Sequence, residues 1–192
     1  IPISYFSLYG NIEVGSESWR LKNYVLYYGM KPIKITNYSE ILSNNLKENL
    51  KRLYLIYYKG NSSISCSNLG WGKQNVTDKK FDLIETGKTA AKRHTNNDIN
   101  ALSSKKTFHD NIMVLNSILN WSKKNNVKVI FITLPAYESY RKNINILQYK
   151  ETINAINDLC NTNSNCFYIN TFEDDNFVQD DFYDADHLSE KG

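Results

Sequence analysis

Near the C-terminus, Asp184-Ala185-Asp186-His187 puts two carboxylates and an imidazole within four residues. A carboxylate beside a histidine fixes the imidazole tautomer and stabilises the imidazolium. That pairing is the minimal unit for moving a proton at neutral pH. Asp184 and His187 are therefore the candidate catalytic residues, with His187 as general base and acid and Asp184 as its orienting partner. Two other readings of the same residues need weighing. Asp184 could cap a final helix with His187 in its first turn. Alternatively, Asp184, Asp186 and His187 could begin a Zn²⁺ or Mn²⁺ site. A metal would need His94, His109 or further carboxylates to converge on them. No His-X-X-X-His or Cys-X-X-Cys spacing supports that, so neither a metal nor a cofactor is expected.

The elements that position this pair follow from periodicity. Val127–Leu134 is nearly all apolar and β-rich and ends at Pro135. Such a run predicts a central parallel strand covered on both faces. Cys166–Asn170 predicts the next buried strand, and the acidic stretch 171–181 delivers Asp184 and His187. Between the strands, Ile153, Ile156 and Leu159 predict a helix over about 148–161. Before them, Ile112, Leu115, Ile118 and Leu119 predict a helix that starts near Thr107 and runs to about Lys124. Thr107-Phe-His-Asp110 reads as its capping box, with His109 in the first turn.

Nearer the N-terminus, Ile3–Leu8 alternates like a strand, which places Ser4 and Ser7 inside it. Ser16 is a plausible N-cap for a helix carrying Leu21, Tyr24, Val25 and Tyr28, and Gly29 can supply its left-handed end. Ile33–Thr36 is a second short strand candidate. Leu42, Leu46, Leu50, Leu53 and Tyr57 share one face of a longer helix that Gly60 ends. The span 61–106 is less periodic, with helix expected around Thr86–Arg93. It holds Asn68-Leu-Gly-Trp-Gly72 and Lys92-Arg-His-Thr-Asn96, and long irregular stretches are often functional. His94 reads either as a contact for an anionic or sugar substrate or as a surface histidine. Trp71 and Tyr140 read as sugar-stacking or simply packed rings.

Helix, strand, helix, strand argues for an α/β fold with a mainly parallel sheet, whose sites lie at the carboxyl ends of the strands. At 192 residues the chain suits one domain, 1–192. It opens at Ile1 without Met and stops at Gly192, so truncation at both ends is expected. A net charge of +3 with mixed signs asks for no nucleic-acid partner. No apolar run is long enough to span a bilayer. Cys160 and Cys166 flank a short Asn-rich loop and are either a clip or two free thiols; Cys66 has no evident partner.

Asp184-Ala-Asp-His-Leu-Ser-Glu-Lys-Gly192 resembles the final block of the SGNH (GDSL-like) hydrolases. It is similar to the Asp-X-X-His-Leu-(Asn/Ser)-X-X-Gly form found in bacterial relatives linked to acyl transfer on cell-surface polysaccharides. Val129-Ile-Phe-Ile-Thr-Leu-Pro135 is similar to the strand and Thr-X-Pro segment that precede that block. The resemblance covers about Val127–Gly192. It implies a three-layer α/β/α sandwich and Ser-His-Asp acyl chemistry on esters of a carbohydrate, by hydrolysis or O-acyl transfer. It also implies a bacterial cell-envelope setting and a carbohydrate or small acyl-ester partner. The family's Gly-Asp-Ser block has no counterpart here, because Ser16, in the nearest Gly-Ser, reads as a cap. The nucleophile is thus expected upstream of Ile1, or lost in a non-catalytic glycan- or protein-binding module. For the oxyanion hole, Asn68 beside Gly70 is the best substitute for the family's Asn and Gly.

Overall fold

The computed structural model describes residues 1–11, 21, 24–25, 29, 31, 46–60, 81–189 and 192. The chain falls into two compact units, Ile1–Gly10 with Asn75–Gly192, and Asn11–Gln74.

In the second unit, helix α1 runs Leu46–Tyr57. Leu50, Leu53 and Tyr57 are helical, as their spacing predicts, and each is exposed. The Tyr54 ring stacks on that of Tyr58 just past the helix end, 5.7 Å between centroids. Gly60 follows with φ +63° and Gly29 has φ +64°, the left-handed conformation that Gly adopts without a Cβ penalty. Leu21, Tyr24 and Val25 are helical, as their spacing predicts. Ser16, Ile33–Thr36, Cys66, Asn68, Gly70 and Trp71 lie outside the described residues.

The first unit contains α2 (Leu83–His94), α3 (Leu102–Lys124), β1 (Val129–Thr133), α4 (Glu138–Arg141), α5 (Ile146–Thr162) and β2 (Cys166–Asn170), then a hairpin of β3 (Phe182–Asp184) and β4 (His187–Leu188). β1 and β2 are parallel, in register from Val129 opposite Cys166 to Thr133 opposite Asn170. The N-terminal residues take the other side of β1. Ile132 donates to the Ile1 carbonyl at 3.0 Å and accepts from Ile3 N–H at 2.8 Å. Pro2 fits between them because this pairing never calls on its missing donor. The elements are thus mixed helix and strand about a small parallel sheet, compatible with the α/β class.

Alternation decides which face of β1 is inside. Val129, Phe131 and Thr133 are buried, whereas Ile130 is about half exposed, as are Phe167 and Ile169 on β2. The expected cover on both faces is therefore seen on one. The covering core joins Ile3, Leu8, Leu119, Val129, Phe131, Ile156 and Leu159. Cys160 and Cys166 form a disulfide that fastens the end of α5 to the start of β2.

Two local expectations are corrected. The N-terminal extended segment ends at Ile3, and Ser7–Tyr9 is a 3-10 turn rather than strand. The Ser7 hydroxyl accepts from Ser4 N–H at 2.9 Å, and Ser7 N–H donates to the Ser4 carbonyl at 2.9 Å, so the chain folds back on itself. α3 starts at Leu102, not near Thr107. The Asp98 carboxylate collects the N–H groups of Asn100 and Ala101 just ahead of it. Thr107 and His109 are therefore interior to the helix, and His109 is exposed. The other boundaries agree closely with the periodicity, and α5 is capped by Asn145, whose side chain accepts from Leu147 and Gln148.

Candidate active site

Beyond the carboxyl end of β1 a second apolar cluster holds Tyr5, Ala90, Ala91, Ala136, Tyr140, Phe172 and Ala185. Its small residues let α2, α4 and the hairpin come close together. Gly87 is the tightest point. A Cβ there would lie 2.7 Å from the Tyr140 backbone nitrogen, closer than packed atoms tolerate.

The hairpin turn is anchored on both sides. Ala185 is fully buried. Its N–H donates to the Thr86 hydroxyl on α2 at 3.3 Å. Its carbonyl accepts from Tyr137 N–H, in the loop after Pro135, at 2.9 Å. The two loops expected at this sheet edge therefore meet. A final helix beginning at Asp184 is not what forms. Asp184 and His187 are instead cross-strand partners flanking the two-residue turn Ala185-Asp186. A spacing of three suits one turn of helix and a tight hairpin equally, and only the hairpin lets Ala185 bury and bond.

His187 Nδ1 lies 2.8 Å from Asp184 Oδ1. The same carboxylate accepts from Asp186 N–H at 3.1 Å, an Asx turn that fixes its rotamer. With Nδ1–H donated to Asp184, a neutral His187 keeps its lone pair on Nε2. The His187 side chain is 54% exposed. The hydrogen bond to Asp184 pushes the His187 pKa above its ordinary value, against the opposing effect of burial. Burial pushes Asp184 up, but the hydrogen bond and charge of His187 outweigh it and hold the carboxyl below its usual range.

Asp186 stands behind this pair, its side chain only 9% exposed. Its carboxylate is 3.6 Å from His187 Nδ1, 3.7 Å from the Arg93 guanidinium and 3.8 Å from His94 Nδ1. Burial pushes its carboxyl up to about 6; the His187 charge pulls it down and the Asp184 charge pushes it up.

His94 is no surface histidine. Its side chain is 14% exposed. The ring stacks on Phe6 with centroids 4.0 Å apart. Nδ1 is 2.8 Å from the Tyr140 hydroxyl, and Nε2 accepts from Arg93 Nε at 3.3 Å. Acceptance at Nε2 puts the proton of the neutral ring on Nδ1. Burial holds its pKa down at about 4, helped by the charges of Arg93 and His187, so its approach to Asp186 is not an ion pair. The Gln148 side-chain amide donates to the His94 carbonyl at 3.1 Å and its oxygen accepts from Asn96 N–H at 2.8 Å. Tyr140 is likewise a packed ring, not a stacking platform.

Asp184, His187 and His94 are therefore brought together, whereas His109 lies elsewhere on α3. Sequence reasoning missed the parts played by Arg93, Asp186 and Gln148. The basic run at the end of α2 and the second acid of the Asp-Ala-Asp-His segment were the available signals. Asp184, Asp186 and His187 offer donor atoms within 4.8 Å of one another. However, Nδ1 of His187 is already engaged, and the Arg93 cation beside Asp186 opposes a second cation. The arrangement suits proton transfer better than metal binding.

Among the described residues no helix is long and apolar enough to cross a membrane. A family model described as a protein of unknown function, DUF1574, matches residues 17–191. No curated protein and no solved structure matches the chain.

Proposed function

Because the chain belongs to the DUF1574 family, whose function is unknown, we propose from the site and from the SGNH-like form of its last block that it is an SGNH-like serine esterase or O-acyltransferase. Its substrates would be acyl esters, acetyl above all, of a carbohydrate. The observation that carries this reading is the 2.8 Å contact between His187 Nδ1 and Asp184, made by a half-exposed ring. Its position at the carboxyl end of a parallel sheet agrees with where such folds do chemistry.

In this reading His187 Nε2 takes the proton of a serine hydroxyl as its oxygen attacks the acyl carbonyl. The protonated ring then returns that proton to the leaving sugar oxygen, and an acyl-enzyme results. Water, or a second hydroxyl in the transferase version, attacks next and gives its proton to Nε2. The regenerated serine recovers the proton from His187 as the acid or new ester leaves. Asp184 keeps Nδ1–H in place throughout. The serine is not identified among the described residues, and Asn68 and Gly70, the expected oxyanion donors, lie outside them. The full fold in this reading is the three-layer sandwich, with helices also over the face that carries Ile130, Phe167 and Ile169.

The unidentified serine favours a second reading, a non-catalytic SGNH-like module that binds glycan or protein. Acetyl-ester turnover by the full-length protein separates the two. His187→Ala should cut turnover by on the order of 10²- to 10⁴-fold with the circular dichroism spectrum preserved. Absent turnover in the parent selects the module; turnover indifferent to His187→Ala overturns the catalytic role of His187.

A further inference from the structure

Two carboxylates face the same ring nitrogen of His187, and they do so differently. Asp184 Oδ1, at 2.8 Å, takes the hydrogen bond. Asp186 Oδ1, at 3.6 Å, is too far to share it but close enough for its charge to be felt. We propose that Asp186 is a positioning residue, which ties the His187–Asp184 pair to the end of α2 and sets, against Arg93, the charge that His187 experiences. This rests on the proton-transfer reading of His187.

The groups around Asp186 come from four places. Asp184 and His187 belong to its own hairpin, Arg93 and His94 to α2, Tyr140 to α4 and Tyr5 to the N-terminal segment. Burial pushes both phenols above their ordinary pKa, so they are uncharged at working pH. His94 is neutral as well, with its two nitrogens committed to Tyr140 and Arg93. On the side away from His187, this leaves Arg93 as the charged neighbour. Its guanidinium is 59% exposed and makes no hydrogen-bond-length contact with Asp186. Asp186 is therefore an anion held almost out of water between one fixed cation and the working imidazole. Burial pushes its carboxyl up to about 6, so its charge at His187 switches on as pH rises past that value.

The backbone contribution of Asp186 is separable from its charge. Its N–H holds Asp184 Oδ1 at 3.1 Å, and an asparagine at this position would keep that bond and the side-chain volume. Removing the charge should loosen the proton on His187. Removing Arg93 should tighten it, because Arg93 opposes the proton directly.

The experiment is an NMR titration of the His187 imidazole in the full chain and in Asp186→Asn, Arg93→Gln and Asp184→Asn. The midpoint should move to lower pH in Asp186→Asn, by less than in Asp184→Asn, and to higher pH in Arg93→Gln. A purely structural role for Asp186 would not produce shifts of opposite sign. A midpoint unmoved in Asp186→Asn, or displaced the same way in Asp186→Asn and Arg93→Gln, overturns the proposal. Should Asp186→Asn fail to fold, the exposed Arg93 still supplies the test, and an unmoved midpoint in Arg93→Gln then overturns it. No substrate is needed. An unmoved titration together with His187-dependent ester turnover discards the role of Asp186 alone; shifted titrations with no ester turnover discard the enzyme alone.

Discussion

His94 and His187 have the same side chain, share a cluster and have pKa values displaced in opposite directions. His187 gives Nδ1–H to a carboxylate and keeps half its surface in water, so its cationic form is favoured. His94 is buried beneath a phenylalanine ring, with a guanidinium beside it, so its neutral form is favoured. The lesson is that proximity to acids does not make a histidine a base. Asp186 lies 3.6 Å from one imidazole and 3.8 Å from the other, yet His94 stays neutral because burial and the charges of Arg93 and His187 outweigh the pull of Asp184. The first keeps a ring half open to water and able to exchange protons; the second is part of the wall that holds the acids in place.

The comparison breaks most sharply at Asp184. Asp184→Asn removes the charge that stabilises the His187 cation and should lower ester turnover on the order of 10³- to 10⁴-fold. Initial rates on an acetyl ester measure it.

The next effect is on folding as a function of pH. The unfolded chain protonates His94 near its ordinary 6.5, the folded chain only near about 4. Between those values the unfolded state binds more protons, so stability is lost as pH falls from about 6.5 to about 4. The loss is on the order of 3 kcal/mol. The raised pKa of His187 has the opposite sign: its contribution is complete below the unfolded value and disappears as pH rises through the folded one. Asp186, pushed up to about 6, also favours the folded state toward acid. The His94 part is therefore read from urea melts of His94→Phe against the parent, and the variant should be the less acid-sensitive of the two.

Two smaller changes sharpen the contrast. Replacing Cys160 and Cys166 together by Ser removes a link across a short loop and should cost about 2 kcal/mol. Both imidazole titrations should persist, because the link sits at the far end of β2 from the site. Tyr140→Phe deprives the His94 ring of its partner and should cost about 1 kcal/mol. A calorimetric melt reads the loss, and the His187 midpoint should stay where it is.

Local patterns carried most of the architecture. Cys166–Asn170 is a strand over the residues its apolar run marks, and Val129–Thr133 lies inside the predicted stretch. Gly29 and Gly60 take the left-handed conformation their positions call for. The site was legible as a pair but not as a cluster. Asp184 and His187 announce themselves by type and spacing, whereas the hairpin that joins them is decided by Thr86 and Tyr137, both distant in sequence. His94 looked like a surface residue because Lys92 and Arg93 precede it. Phe6 and Tyr140, which bury it, come from other parts of the chain. The start of α3 was missed because the Asp98 side chain, not a Thr-X-X-Asp box, organises the backbone ahead of it.

The absent side chain at position 87 has one more consequence. The gap between α2 and the Tyr140 backbone is narrower than a methyl group requires, so the packing that buries His94 and keeps it neutral depends on a residue that carries no chemistry. A saturation library at this codon, sorted for folded protein, should return glycine almost alone. Any alanine survivors should have the two helices prised apart and a second imidazole free to titrate.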